Sequence, residues 1–149
     1  MKYRIVNLRT DYDGRIIDFS EARNFFLDHN DWVLFIDSDE EASQLLLKHL
    51  DRMIPHFPYY WIRRINFADG KYLESWNPDY QPRLVSNRVR FIGRVHERVV
   101  PREPHGSICR PILHNHIGPV TYGNYWYQRL PVWKLALAVK KSLQVVTNQ

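Results

Sequence analysis

The sequence predicts an α/β fold built on one mixed sheet, and three observations carry that prediction. The first is the order of elements: strand, helix, strand, helix, then a run of strands and a terminal helix. That order suits helices packed on a sheet better than a helical bundle or a sandwich. The second is the segment Trp32–Ile36, WVLFI, an apolar run without alternation. A strand that reads this way is covered on both faces, and such strands are usually parallel. The third is bulk. The chain has 149 residues, 44% of them hydrophobic. A length of this order buries roughly 68–70% of the unfolded surface around a single core.

Each element has its own signal. Tyr3 to Leu8 reads as a short strand, and Asp13-Gly14 as a turn. Ser20 is placed to cap a helix that runs to Asn30 with Ala22, Phe25 and Phe26 facing inward. Asp28 to Asp31 ends that helix, and the Trp32–Ile36 strand follows. Glu40 to Met53 has helical spacing, with Leu45, Leu46, Leu50 and Met53 on one face, and Pro55 and Pro58 stop it. Tyr59–Phe67 and Lys71–Leu73 flank Asp69-Gly70 as a hairpin. Arg83–Phe91, Val95–Val100 and Ile112–Ile117 are further strands, with a loop from Pro101 to Gly106. Tyr122 to Val146 reads as an amphipathic helix interrupted at Pro131. The expected core is Ile5, Val6, Phe25, Val33, Leu34, Phe35, Ile36, Leu46 and Leu50. Residues 1–121 then form one unit, and residues 122–149 the helix and tail.

Composition excludes several classes. An aromatic content of 14% is far above that of a disordered chain. Cys109 stands alone, which excludes a disulfide scaffold. No apolar run reaches the roughly 18 residues of a membrane-spanning helix. Met1 to Asn30 is studded with Arg and Asp and lacks the apolar stretch of a signal peptide. A reducing, cytoplasmic compartment is therefore the expectation. Lys and Arg number 21 against 16 Asp and Glu, a net charge of +5. That excess suits nucleic acid, anionic lipid or a nucleotide's phosphates in a general way. It is spread along the chain and selects none of them.

The sharpest chemical feature is Asp37-Ser-Asp39-Glu40 at the carboxyl end of the apolar strand. Open α/β sheets bind ligands there. Side chains two apart in extended chain point the same way, so Asp37 and Asp39 are able to share one hard cation such as Mg²⁺ or Mn²⁺. The other reading is that both acids cap the next helix, which favours Asp near its start. Arg23 and Asn24, upstream, either meet phosphate or base, or are surface positions of an amphipathic helix. In Val95-His-Glu-Arg-Val, alternation puts His96 and Arg98 on one face and Glu97 on the other. Glu97 is then a general-base candidate, or part of a solvated edge strand. His114 and His116 share a strand face as a metal pair would, or one of them is structural.

Taken in order, DFSEARN, WVLFIDSDE, DYQPRL, GRVHE and ILHNH resemble the motifs of family 2 glycosyltransferases of the GT-A fold. The likeness is to the lipopolysaccharide-core and prophage-type branch, over about residues 16 to 118. The resemblance implies a truncated GT-A-like mixed sheet flanked by helices, because most of the family's N-terminal nucleotide-binding half has no counterpart here. It implies transfer of a sugar, with inversion, from a nucleotide diphosphate sugar to the hydroxyl of a glycan or lipid-linked acceptor. By the same resemblance Asp39 ligates the divalent ion, with Asp37 beside it and His114 completing the site. Arg23 and Asn24 lie beside the donor, and Gln81, Arg83 and His96 on the acceptor side. Glu97 is the catalytic base. Nucleic acid is not an expected partner.

Two rival readings are weaker. A dehalogenase-type phosphatase also places D-x-D after an apolar strand, but Glu40-Glu41 would repel a phosphoryl group there. A non-catalytic binding module, or a remnant that needs a partner chain, fits the charge and the aromatics but leaves the acids unexplained. An open sheet edge would suit a homodimer. Trp126, Trp133, Lys134, Lys140 and Lys141 in the last helix suit either a sheet-packing helix or a peripheral site on the inner membrane face.

Overall fold

The computed structural model describes residues 1–68, 70–94 and 96–116, and the backbone of 120–122 and 125–127. The chain opens with β1 (Arg4–Val6), a one-turn α1 (Leu8–Asp11) and α2 (Phe19–His29), followed by β2 (Trp32–Phe35). Next come β3 (Glu40–Ala42) and α3 (Gln44–Arg52). The long β4 (Tyr59–Ala68) turns back through β5 (Lys71–Tyr72), and a short 3-10 turn leads to β6 (Asp79–Ser86). A hairpin of β7 (Arg90–Ile92) and β8 (Arg98–Val100) precedes β9 (Gly106–His116). A second hairpin joins β10 (Val120–Tyr122) and β11 (Tyr125–Tyr127).

The main sheet is seven-stranded and mixed, in the order β1-β2-β6-β4-β9-β3, with β5 paired to β4. β1 runs parallel to β2, and β4 parallel to β9. The other pairings are antiparallel. Two apolar clusters cover its two faces. Phe26 and Leu27 of α2 pack with Val6, Val33, Phe35, Tyr59 and Val85, and the β7–β8 hairpin adds Phe91 and Val99. Leu46 and Leu50 of α3 pack with Leu34, Tyr60, Ile62, Leu84 and Ile112. β2 therefore sends Val33 and Phe35 one way and Leu34 the other, all buried. This is why WVLFI shows no alternation. As expected, the strand lies inside the sheet, with one parallel and one antiparallel neighbour.

Several sequence expectations are corrected. The cap of α2 is Asp18, which accepts hydrogen bonds from Ser20 N and Glu21 N. Ser20 instead donates to the Gly93 carbonyl. The second helix starts at Gln44, capped by Ser43, whose side chain accepts from Leu46 N. Glu40–Ala42 is a strand because β9 offers it a ladder, Glu40 opposite His114 and Ala42 opposite Ile112. Six of the nine expected core residues are buried; Ile5 (49% exposed) and Phe25 (48%) are not, and Ile36 is only partly buried. Phe25 lies on the outer side of α2 against Tyr12 and His29. Arg83–Phe91 is not one strand: Ser86 caps a turn, accepting from Val89 N on its carbonyl and from Arg88 N on its hydroxyl. Val95–Val100 shrinks to Arg98–Val100, because Gly93 (φ 99°) and His96 (φ 56°) break the extended run. β9 starts earlier than Ile112, at Gly106. The expected C-terminal helix begins in residues that are strand, Tyr125–Tyr127; its remainder, 128–146, lies outside the described residues.

Candidate functional site

A cleft of about 770 Å³ opens where β2 ends, between that strand end, α2, β6 and the loop before β8. Arg23, Asp37 and Asp39 line it together with Gln81, Arg83, His96 and Glu97. These come from four separate stretches of sequence, and all were candidates on sequence grounds. Asn24 is not among them. It clamps the backbone of Phe91, donating to the carbonyl and accepting from the N–H, both at 2.9 Å. That pair of hydrogen bonds ties α2 to β7. The side chain of His116 lies outside the described residues.

The acids of the D-x-D turn are held differently. Asp37 Oδ2 accepts from Arg83 Nη2 at 3.0 Å. Burial pushes the Asp37 carboxyl up, but the Arg83 charge and hydrogen bond, with Arg23 behind them, outweigh it and hold it below its ordinary value. Asp39 Oδ2 meets His114 Nε2 at 2.8 Å, and that hydrogen bond is the main reason its carboxyl is also held low. The other ring nitrogen, Nδ1, meets Asn66 Oδ1 at 2.6 Å. His114 is thus the second layer behind Asp39, gripped from both sides.

Sequence reasoning missed the hub of this arrangement, Glu40. Its carboxylate has no exposed surface. Oε1 accepts from Asp37 N at 2.9 Å, and Oε2 from Arg64 Nη1 and Arg83 Nη2, each at 3.0 Å. Arg64 continues to Asp79 at 2.8 Å, and Asp79 accepts from Asn66 and Gln81. The contacts run from Asp39 through His114, Asn66, Asp79, Arg64, Glu40 and Arg83 to Asp37, and the backbone from Asp37 to Asp39 closes them into a ring. Four carboxylates face two guanidiniums in it, a local excess of negative charge. The net excess of the whole chain is positive, so this cluster carries the opposite sign.

Arg83 reaches this ring through a bulge. Tyr60 pairs with Leu84 and Trp61 with Pro82, so Arg83 is the residue that the ladder skips. A bulge re-aims the side chain it carries, and here the guanidinium lines the cleft and reaches between Asp37 and Glu40. It is buried, and its Nε has no hydrogen-bond partner.

On the opposite wall Arg23 Nε donates to Glu97 Oε1 at 2.9 Å. Next to Glu97 in the chain, His96 carries a left-handed backbone and is exposed. Among the described residues no three His, Cys, Asp or Glu side chains converge as a ready metal centre. Asp37 and Asp39 both line the cleft, and carboxylate oxygens are the donors that Mg²⁺ and Mn²⁺ take; His114 orients Asp39 from behind, its two ring nitrogens facing Asp39 and Asn66. No helix among the described residues is long and apolar enough to cross a membrane. In comparisons with known proteins, no family model matches the chain and no curated protein matches it.

Proposed function

We propose that the chain is a short glycosyltransferase core of the GT-A type. It would transfer a sugar from a nucleotide diphosphate sugar to an acceptor hydroxyl with inversion, assisted by Mn²⁺ or Mg²⁺. One observation carries this reading. Asp37, Asp39, Arg23 and Glu97, far apart in sequence, line one cleft at the carboxyl end of an interior strand. A structural role alone does not require three acids and an arginine from three separate stretches of sequence to gather around an open space.

The chemistry has two charges to manage. The glycosyl–oxygen bond to the diphosphate breaks and the leaving group keeps the electron pair. A cation held by Asp39 and Asp37, with His114 orienting Asp39 from behind, would supply the charge that offsets it. Such an ion commonly takes one or two carboxylates from the protein and the rest of its shell from phosphates and water. Arg23 adds a fixed positive charge on the same side. The acceptor oxygen forms the new bond to the anomeric carbon and gives its proton to a Glu97 oxygen. Gln81 and His96 also line the cleft and would meet the acceptor.

A second reading has its own support. Arg83 neutralises Asp37 and Arg23 neutralises Glu97, as expected of a binding module, or of a remnant completed by another chain. Calorimetry with UDP, GDP and TDP, with and without Mn²⁺, separates the two. A transferase core binds at least one of them more tightly with metal; no binding at millimolar concentration removes the reading for this chain alone. Donor hydrolysis then locates the site: Asp39→Ala and Glu97→Ala should each abolish it, and two fully active variants would refute the assignment. We place the protein in the cytoplasm, with a peripheral site on the inner membrane face for lipid-linked acceptors. Flotation with anionic vesicles at low salt, lost at high salt, is the expected result.

A further inference from the structure

Arg23 uses only part of its hydrogen-bonding capacity. Its guanidinium lies 5.0 Å from the ring centre of Phe35 and 5.4 Å from that of Phe91. Those two rings meet edge to face at 5.5 Å, so the aromatic pair fixes where the guanidinium sits. Its Nε donates to Glu97, and the two side chains are only 12% and 16% exposed. A guanidinium carries five N–H donors in a rigid fork. Among the described residues no acceptor takes a hydrogen bond from either Nη of Arg23. One edge is thus occupied by Glu97, while the other belongs to a residue that lines the cleft.

We infer that the open edge of Arg23 takes a phosphoryl oxygen of the donor, and that this contact competes with Glu97 for the same positive charge. The inference rests on the glycosyltransferase reading. It gives Glu97 two states. Without donor, Arg23 from α2 neutralises it, with Arg83 from β6 close enough to feel its charge and His96 beside it in its own loop. With donor bound, the phosphoryl group draws on the Arg23 charge and Glu97 is left free to accept the acceptor's proton. The base is therefore armed only when a phosphoryl group occupies the cleft.

The competition is measurable without turnover, using pyrophosphate with Mg²⁺ as the probe and calorimetry on the full chain. Glu97→Gln removes the competing charge and should tighten pyrophosphate by about fivefold, within the range of couplings between groups in contact. In an Arg23→Gln background the same change should alter affinity by less than about twofold, since the shared charge is gone. Arg23→Met, whose side chain still packs on Phe35 and Phe91, replaces Arg23→Gln should that variant not fold. If wild type binds pyrophosphate and Glu97→Gln leaves its affinity unchanged, the inference fails and the function proposed above stands. Equal tightening in both backgrounds also overturns it, because simple repulsion by Glu97 would then suffice. No binding to wild type overturns the phosphoryl role of the cleft, and with it both proposals.

Discussion

Asp39 and His114 stand 75 residues apart in sequence and meet at 2.8 Å, the acid from the turn after β2 and the imidazole from β9. On one side of β9 at that point lies β3, which pairs Glu40 with His114, and on the other β4, which pairs Asn66 with it. One strand pairing thus fixes both the hub of the acidic ring and the imidazole behind Asp39.

That geometry makes His114 a test of the metal role. In His114→Ala, Mn²⁺ affinity should fall by at least about tenfold, the scale of losing a group that orients or supplies a ligand. Nucleotide binding measured without metal should change little. Equal loss under both conditions would mean that His114 supports the turn and no ion.

Acid should unfold the protein through the same ring. Asp79 is pushed up by burial, but hydrogen bonds from Asn66 and Gln81 and the Arg64 charge bring it below its ordinary value. Asp37 and Asp39 are lowered as well. The unfolded value is about 3.9. A lower folded value means that the folded chain binds fewer protons near that pH. Its stabilising share is therefore full above about pH 4–5 and is lost as pH falls through the folded values. Urea midpoints from pH 6 to 2 should decline most steeply below pH 4, and Asp79→Asn should flatten part of that decline.

Glu40 should be costly to remove. Glu40→Ala leaves the Arg83 and Arg64 guanidiniums short of a buried counter-charge, a loss of about 3–5 kcal/mol. Urea unfolding of the two proteins at neutral pH checks it. A loss under 1 kcal/mol would show that water replaces the carboxylate, and that the hub is not a structural need.

Gly106 has no room for a side chain. A Cβ there would run into the ring of Tyr60 and crowd Phe57. The ring has no freedom to retreat, because the Tyr60 hydroxyl accepts from His56 N and Phe57 N. Gly106→Ala should cost about 1–3 kcal/mol by overpacking, and Gly106→Ala with Tyr60→Leu should recover part of it. A fully stable Gly106→Ala would refute the close approach.

What was legible in the sequence is what depends on local pattern. The interior strand declared itself through WVLFI, and Asp37, Asp39, Arg23 and Glu97 were marked by type and position before they were seen in one cleft. The helical spacing of Leu46 and Leu50 was right, but it hid where the helix began. Glu40 and Glu41 fit a helical first turn as well as a strand, and the pairing that decides between them lies in β9, some seventy residues on. Ser43 was the available cue, since it is a good N-cap and the residues before it then cannot be helix. Arg64 and Asn66 gave no signal at all, and Asp79 entered only as the first residue of DYQPRL. Their chemistry depends on the register of β4 with its neighbours, which no local window contains. The expectation for His96 and Glu97 rested on strand alternation, and it failed because the chain there is a loop.

Arg83 is the residue that β6 does not need. Without it, Pro82 and Leu84 would be consecutive opposite Trp61 and Tyr60, and the ladder would run unbroken. The sheet and the cleft therefore make opposite demands on one position. A shorter β6 would be the tidier strand, and it would also leave Asp37 and Glu40 as two neighbouring acids with no guanidinium between them. The one extra residue therefore joins the two: its guanidinium ties Asp37, which lines the cleft, to Glu40, which is buried behind it.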